Sequence, residues 1–190
     1  MFNTAATLLS LFISVRAAIF MAVFSFAIWL YSHKLKRITF IGNLVASILA
    51  IVPFFAIFLY YKNISVLIIL HAAFLSLLIL IRELVKDMLS YRGDLIYGYQ
   101  TIPVKYSMKV SKLLISFLVV LTVIPGVLLT QFNEVGLMYI YFYFSLGVLS
   151  VFLLGLWYLK GVKWYLLQYN IIKILIVAGI FSIALVPYSF

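Results

Sequence analysis

The chain has 190 residues, of which 67% are hydrophobic and only 9% are charged, and its mean hydropathy is +1.27. Because so few charged side chains cannot cover the surface of a globule, the composition excludes a soluble protein and predicts an integral membrane protein. The absence of cysteine excludes disulfides and zinc–thiolate sites, and the net charge of +10 is scattered between apolar runs, unlike the clustered basic face of a nucleic-acid-binding protein.

Seven apolar segments follow one another along the chain. Their length and continuity predict membrane helices, because backbone groups in lipid must pair within a helix or a closed barrel, and alternating strand patterns are missing. We therefore predict an all-α, polytopic transmembrane bundle of about six full spans plus a short N-terminal helix, forming one membrane domain over residues 1–190. The segments cover residues 5–15, 17–32, 40–60, 64–81, 113–130, 136–159 and 165–187.

The first segment is too short to cross a bilayer. Residues 5–15 precede Arg16 and supply roughly half of the ~20 apolar residues that a span requires. One interpretation is a single long helix over residues 5–31 that tolerates Arg16. The other is that residues 1–15 are the tail of a helix whose beginning lies outside this sequence.

The basic residues are concentrated in every second connection between the apolar segments. Residues 33–38, 82–112 and 160–163 hold eleven of the fourteen Lys and Arg residues, whereas the other connections hold only Arg16 and Lys62. This is the positive-inside pattern of multi-pass membrane proteins. It predicts that the three basic connections are cytoplasmic, in a plasma or inner membrane.

Three of the four carboxylates, Glu83, Asp87 and Asp94, lie within twelve residues of one another. If the helix that begins near residue 64 continues through Asp87, these side chains share one face, with Ser90 between the last two. Carboxylates at this spacing can hold Mg²⁺ together with phosphate, and the interleaved Arg82 and Lys86 suit a diphosphate. The alternative is an ordinary solvated helix end whose charges balance a basic connection. Turns are predicted at Gly93, Gly98 and Pro103.

Two stretches resemble the UbiA superfamily of membrane prenyltransferases, most closely the branch of geranylgeranylglycerol-phosphate and homogentisate prenyltransferases. The family's second aspartate-rich motif is R-E-x-x-K-D-x-x-D-x-x-G-D, followed by G-x-x-T-L-P. A basic helix end and the start of the next helix are similar as well. The matching residues are Arg82, Glu83, Lys86, Asp87, Gly93, Asp94, Gly98, Thr101 and Pro103, and, in the second stretch, Tyr31, Ser32, Leu35, Lys36, Arg37, Gly42 and Asn43.

The resemblance implies a fold, a reaction and a set of site residues. The family's bundles have nine helices around a central cavity, and Mg²⁺ on two aspartate-rich motifs grips the diphosphate of a polyprenyl donor. Loss of diphosphate leaves an allylic cation that a lipid-soluble acceptor captures, either an aromatic ring or a glycerol phosphate. By this resemblance Asp87 and Asp94 are the catalytic Mg²⁺ ligands. Lys36, Arg37, Arg82 and Lys86 are the residues expected to contact the diphosphate.

Two departures from the family pattern bear on activity. Ser90 stands where the family has its middle aspartate, and the first motif, N-x-x-x-D-x-x-x-D, does not occur in these 190 residues, since no Asp precedes Asp87. The chain then matches about the last two-thirds of the fold. A truncated gene, a mistaken start site or a partner chain that supplies the other helices would each explain this. We expect that the chain alone does not transfer prenyl groups; the alternative is a non-catalytic UbiA-like membrane subunit or remnant.

Overall fold

The computed structural model describes residues 2–62 and 64–182, with side chains for all of these except residues 2–4 and 37. Eight α-helices and two short 3-10 turns make up this part of the chain, which contains no strand. The elements are α1 Phe2–Leu11, α2 Val15–His33, the turn Leu35–Arg37, α3 Ile41–Tyr60, α4 Val66–Tyr97, α5 Ile102–Lys105, α6 Met108–Thr130, the turn Asn133–Met138, α7 Tyr139–Tyr158 and α8 Val162–Ser182.

Six of the helices in the described residues are long and apolar enough to cross a membrane. They are α2, α3, α4, α6, α7 (counted with the 3-10 turn before it) and α8, while α1 has only ten residues. The predicted all-α multi-pass membrane protein with six full spans and a short first helix is therefore confirmed. The chain's contacts form two compact units, Met1–Asn63 and Ile64–Phe190. The prediction of a single domain stays a prediction.

In the first unit, α1 and α2 are separate helices. Ser14 is extended (φ −172°, ψ 158°), and its hydroxyl caps α2 by accepting a hydrogen bond of 3.1 Å from the Ala17 amide. A serine at this position satisfies one of the amides that have no partner at a helix start. The interpretation of residues 5–31 as one continuous helix is therefore wrong. Arg16 lies exposed in the first turn of α2.

The connection between α2 and α3 is packed tightly against the first turn of α3. The Gly42 amide donates to the carbonyl of Ile38 at 2.9 Å. A Cβ atom at Gly42 would lie 3.1 Å from the carbonyl oxygens of both Leu35 and Lys36, which are backbone atoms and cannot rotate away. Glycine at this position lets the turn that carries Lys36 and Arg37 sit directly on α3.

We expect Gly42→Ala to destabilise this turn. Overpacking costs about 1–3 kcal/mol, which exceeds the gain of up to about 1 kcal/mol from better helix propensity. The measurement is the Tm of the detergent-solubilised protein. Gly147→Ala in α7 is the matched control, because a Cβ there meets no atom within 4 Å. An unchanged or raised Tm for Gly42→Ala, relative to Gly147→Ala, would contradict this account of the turn.

The second unit is an antiparallel helical bundle in which α4 packs against α6 and α8, and α7 packs against both of these. Hydrogen bonds from side chains at the start of one helix reach carbonyl groups near the end of the neighbouring helix. Tyr141, at the start of α7, donates to the Leu175 carbonyl late in α8 at 2.9 Å. Lys112, at the start of α6, donates to the Leu156 carbonyl late in α7 at 2.5 Å. The ends of α4 and α7 and the starts of α6 and α8 therefore lie at the same end of the unit.

Helix α4 is much longer than a membrane span. Its 32 residues rise about 48 Å at 1.5 Å per residue, whereas the hydrocarbon core of a bilayer is about 30 Å thick. The segment from residue 82, expected to form a long connection, is therefore mostly helix. The predicted turn at Gly93 is wrong, because the helix runs through Gly93 as far as Tyr97. A single glycine costs a helix only about 1 kcal/mol, so neighbouring turns carry it.

The chain turns at Gly98, as predicted, and α4 ends there. Gly98 adopts the left-handed conformation (φ 70°, ψ 22°), which a residue without a side chain enters at little cost. The Tyr99 amide then donates to the Asp94 carbonyl at 2.9 Å. This reversal folds the following residues back beside the last turn of α4, where they meet the acidic side chains.

Candidate functional site

The three carboxylates singled out in the sequence all lie on the last part of α4. Glu83 and Asp87 are buried, with exposed fractions of 8% and 5%, and Asp94 is partly buried. Spacings of four and seven residues bring them to one side of the helix. Charged side chains are seldom buried to this degree unless they have partners, so Glu83 and Asp87 are not the solvated helix-end charges of the alternative interpretation.

Glu83 binds two cations at once. Its Oε1 accepts a bond of 2.6 Å from Nη2 of Arg82, and its Oε2 accepts one from Nζ of Lys86. We call these three residues the Arg82–Glu83–Lys86 triad. Both carboxylate oxygens of Glu83 are thus engaged by basic groups. The assignment of Asp87 and Asp94 as metal ligands stays a prediction from the resemblance.

Asp94 accepts hydrogen bonds from two hydroxyl groups. Ser90, one turn earlier on α4, donates to Oδ2 at 2.8 Å, and Thr101 donates to the same oxygen at 3.2 Å. Thr101 lies just before α5 and reaches Asp94 because the chain reverses at Gly98. The other oxygen, Oδ1, receives neither of these bonds. The two hydroxyls therefore fix the orientation of the Asp94 carboxylate.

Thr101 was not among the predicted site residues, although it is part of the motif that matched the family. The signal was present in the sequence as a threonine three residues after a helix-ending glycine. What could not be read from the sequence is that α4 continues to Tyr97. This places the reversal close enough for the Thr101 hydroxyl to reach Asp94.

Asp87 and Asp94 could each supply oxygen ligands to a Mg²⁺ ion that also binds substrate phosphate, and this assignment stays a prediction. The two residues are separated by about 10 Å of helix rise, so they are poorly placed to enclose one ion by themselves. Mg²⁺ is commonly held by one or two carboxylates together with water and phosphate oxygens. Within residues 2–62 and 64–182 no group of three or more histidine, aspartate or glutamate side chains is placed to hold a metal ion. The donors present suit a metal–phosphate complex better than a structural metal cage.

The two remaining predicted diphosphate contacts, Lys36 and Arg37, belong to the first unit. They lie in the 3-10 turn Leu35–Arg37 that follows α2, and the Lys36 side chain is exposed. The turn is the one that packs on Gly42. Their assignment as diphosphate contacts stays a prediction from the resemblance.

Comparison with known proteins gives an independent indication of the family. The profile of the UbiA prenyltransferase family matches residues 1–187. A digeranylgeranylglyceryl phosphate synthase from Methanosphaera stadtmanae is 30% identical over 133 residues, which are 70% of this chain and 48% of that protein. The chain thus spans about half the length of the curated relative it matches. No solved structure gives a significant match.

Proposed function

The chain belongs to the UbiA prenyltransferase family, and on this basis we propose that it takes part in transferring a polyprenyl group from a prenyl diphosphate to a lipid-soluble acceptor in the membrane. The observation that carries the proposal is the end of α4. There, two basic residues, Arg82 and Lys86, and two acidic residues, Asp87 and Asp94, follow one another along the helix, in the order of the family's second motif.

In this proposal Asp87 and Asp94 hold Mg²⁺, which when bound neutralises charge on the diphosphate leaving group. Arg82 and Lys86 contact diphosphate oxygens, with Lys36 and Arg37 as further contacts. The bond between the prenyl carbon and the diphosphate breaks, and its electron pair stays with the diphosphate. Fixed basic groups stabilise the negative charge that develops there, and such stabilisation is strongest where water is excluded.

The acceptor we favour is a glycerol phosphate lipid. The relative is named for the synthesis of digeranylgeranylglyceryl phosphate, and the motif residues resemble the same branch. Its hydroxyl oxygen would form the new bond to the prenyl carbon and release its proton. An aromatic acceptor is the second candidate within the family. The basic connections at the site end of α4 support a cytoplasmic location for the chemistry under the positive-inside rule.

The chain by itself is proposed to bind the donor without transferring the prenyl group. Ser90 replaces one carboxylate, and the family's first aspartate motif does not occur in these 190 residues. These 190 residues therefore carry one of the family's two aspartate-rich motifs. These same two observations favour the alternative, a non-catalytic UbiA-like membrane subunit.

Two assays on the purified chain in lipid nanodiscs test the proposal. Geranylgeranyl diphosphate should bind only when Mg²⁺ is present. Labelled geranylgeranyl diphosphate should give no product with geranylgeranylglyceryl phosphate or with homogentisate. Binding that does not depend on Mg²⁺ would contradict the proposed site. Product formation by the chain alone would contradict the proposed need for the first motif.

A further inference from the structure

We infer that Glu83 is a positioning residue that holds Arg82 and Lys86 in place for the diphosphate. This inference rests on the proposed function and adds to it a residue that contacts neither metal nor substrate. It assigns to the buried carboxylate of the triad the task of orienting two cations. Without Glu83, both are long side chains with many accessible conformations.

The exposures within the triad support this arrangement. The Glu83 side chain is 10% exposed, whereas those of Arg82 and Lys86 are 26% and 49% exposed. The carboxylate is therefore the least exposed group of the triad, and the two basic groups are more exposed to the surroundings. Each oxygen of Glu83 contacts a different cation, so one acidic side chain restrains both.

Arg82 depends on this restraint. Its Nε atom is buried and has no hydrogen-bond partner among the described residues, while its Nη2 atom binds Glu83. The hydrogen bond to Glu83 therefore sets the orientation of the Arg82 guanidinium. A guanidinium held in this way can present its remaining donors to a diphosphate with little loss of conformational freedom on binding.

Two roles for Glu83 predict opposite effects on anion binding. If Glu83 only balances charge, its neutralisation leaves the site more positive and a diphosphate should bind more tightly. If Glu83 positions the cations, its neutralisation weakens the contacts that orient them, and binding should weaken. The sign of the change therefore separates positioning from charge balance.

The test measures binding of inorganic pyrophosphate in the presence of Mg²⁺ by calorimetry on the detergent-solubilised chain. Glu83→Gln keeps the shape but removes the charge, and Glu83→Asp keeps the charge but shortens the reach. We expect both to weaken binding, by about fivefold or more, since charge-assisted hydrogen bonds to Arg82 and Lys86 are lost or lengthened. Glu134→Gln is the matched control, because Glu134 is exposed at the opposite end of the bundle.

A double-mutant comparison tests whether Glu83 acts through Lys86. In a Lys86→Met chain, the additional effect of Glu83→Gln should be smaller than in the wild-type chain, because one of its two targets is gone. A merely structural role for Glu83 would give the same effect in both backgrounds. The Tm of each variant is recorded, and Glu83→Asp, which keeps the negative charge, provides a second variant if Glu83→Gln is unstable.

The outcomes separate this inference from the proposed function. Tighter or unchanged pyrophosphate binding by Glu83→Gln and Glu83→Asp, with binding still abolished by Asp87→Asn, would overturn the role of Glu83 alone. Equal effects of Glu83→Gln in the two backgrounds would also overturn it. Failure of the wild-type chain to bind, or binding that Asp87→Asn leaves intact, would overturn the proposed function and this inference with it.

Discussion

Replacing Asp87 by asparagine is expected to abolish Mg²⁺-dependent binding of a prenyl diphosphate. Asp87 is 5% exposed and lies one helical turn after Glu83 on α4. The substitution keeps the size of the side chain and removes the negative charge that a hard cation prefers. Because losing even a residue that supports a metal ligand costs about 10–100-fold in affinity, losing a ligand itself should cost at least about 100-fold.

The measurement is the dissociation constant for geranylgeranyl diphosphate at a series of Mg²⁺ concentrations. Wild-type binding should strengthen as Mg²⁺ is added, and binding to Asp87→Asn should not respond. Glu134→Gln changes the same charge at an exposed position and should behave as the wild type does. A Mg²⁺ response that survives in Asp87→Asn would remove this residue from the metal site.

The overall class of the protein could be predicted from the sequence because lipid imposes simple rules. Continuous apolar runs must form helices in a bilayer, so the six spans could be predicted from length and hydropathy alone. The helix boundaries inside those runs were harder to predict. The break before α2 depends on the Ser14 hydroxyl capping an amide. Such a cap is visible in a sequence only as one serine among apolar neighbours.

The long extension of α4 shows a different limit. Gly93 was expected to turn the chain, yet the helix continues through it to Tyr97. Glycine weakens a helix without forbidding it, and the preceding turns of α4 are buried against α6 and α8. Gly98 does end the helix, since there the chain needs a positive φ. The two glycines have the same chemistry, and only their surroundings in the fold distinguish them.

Contacts between residues far apart in the sequence could not be predicted from sequence patterns. Lys112 was counted as one of the basic residues of a cytoplasmic connection, and the structure buries it to 8% exposure. Its ammonium group donates to the Leu156 carbonyl and lies 5.9 Å and 5.7 Å from the ring centroids of Trp157 and Tyr165. It thereby caps α7 and joins the ends of three helices. The carbonyl that it binds is 44 residues away in sequence.

Ser90 has a different meaning in the structure from the one that the family pattern suggests. By comparison with the motif it is a missing carboxylate, and therefore a weakened metal ligand. In the structure its hydroxyl donates to Asp94 at 2.8 Å and helps to fix that carboxylate. The residue thus supports one ligand in place of supplying another. If the proposed site binds Mg²⁺, the larger of these two effects determines its affinity.

We expect Ser90→Asp to strengthen Mg²⁺ binding even though it removes the hydrogen bond to Asp94. The bond contributes about 1.5–3 kcal/mol at most, as a hydrogen bond to a charged group. A third carboxylate, between Asp87 and Asp94 on one side of α4, adds a full negative charge close to a divalent cation, and affinity rises with the number of charged ligands. The Mg²⁺ concentration for half-maximal binding of geranylgeranyl diphosphate should fall more than about tenfold.

The same substitution should have the opposite effect when Mg²⁺ is absent. Carboxylates three and four residues apart on a helix repel one another, so the Tm of Ser90→Asp should lie below that of the wild type in EDTA and rise above it in Mg²⁺. Gln131→Glu adds one negative charge at an exposed position at the other end of α6 and should shift neither measurement. If Ser90→Asp needs as much Mg²⁺ as the wild type or more, the prediction is wrong. Orienting Asp94 would then contribute more to Mg²⁺ binding than an added carboxylate does.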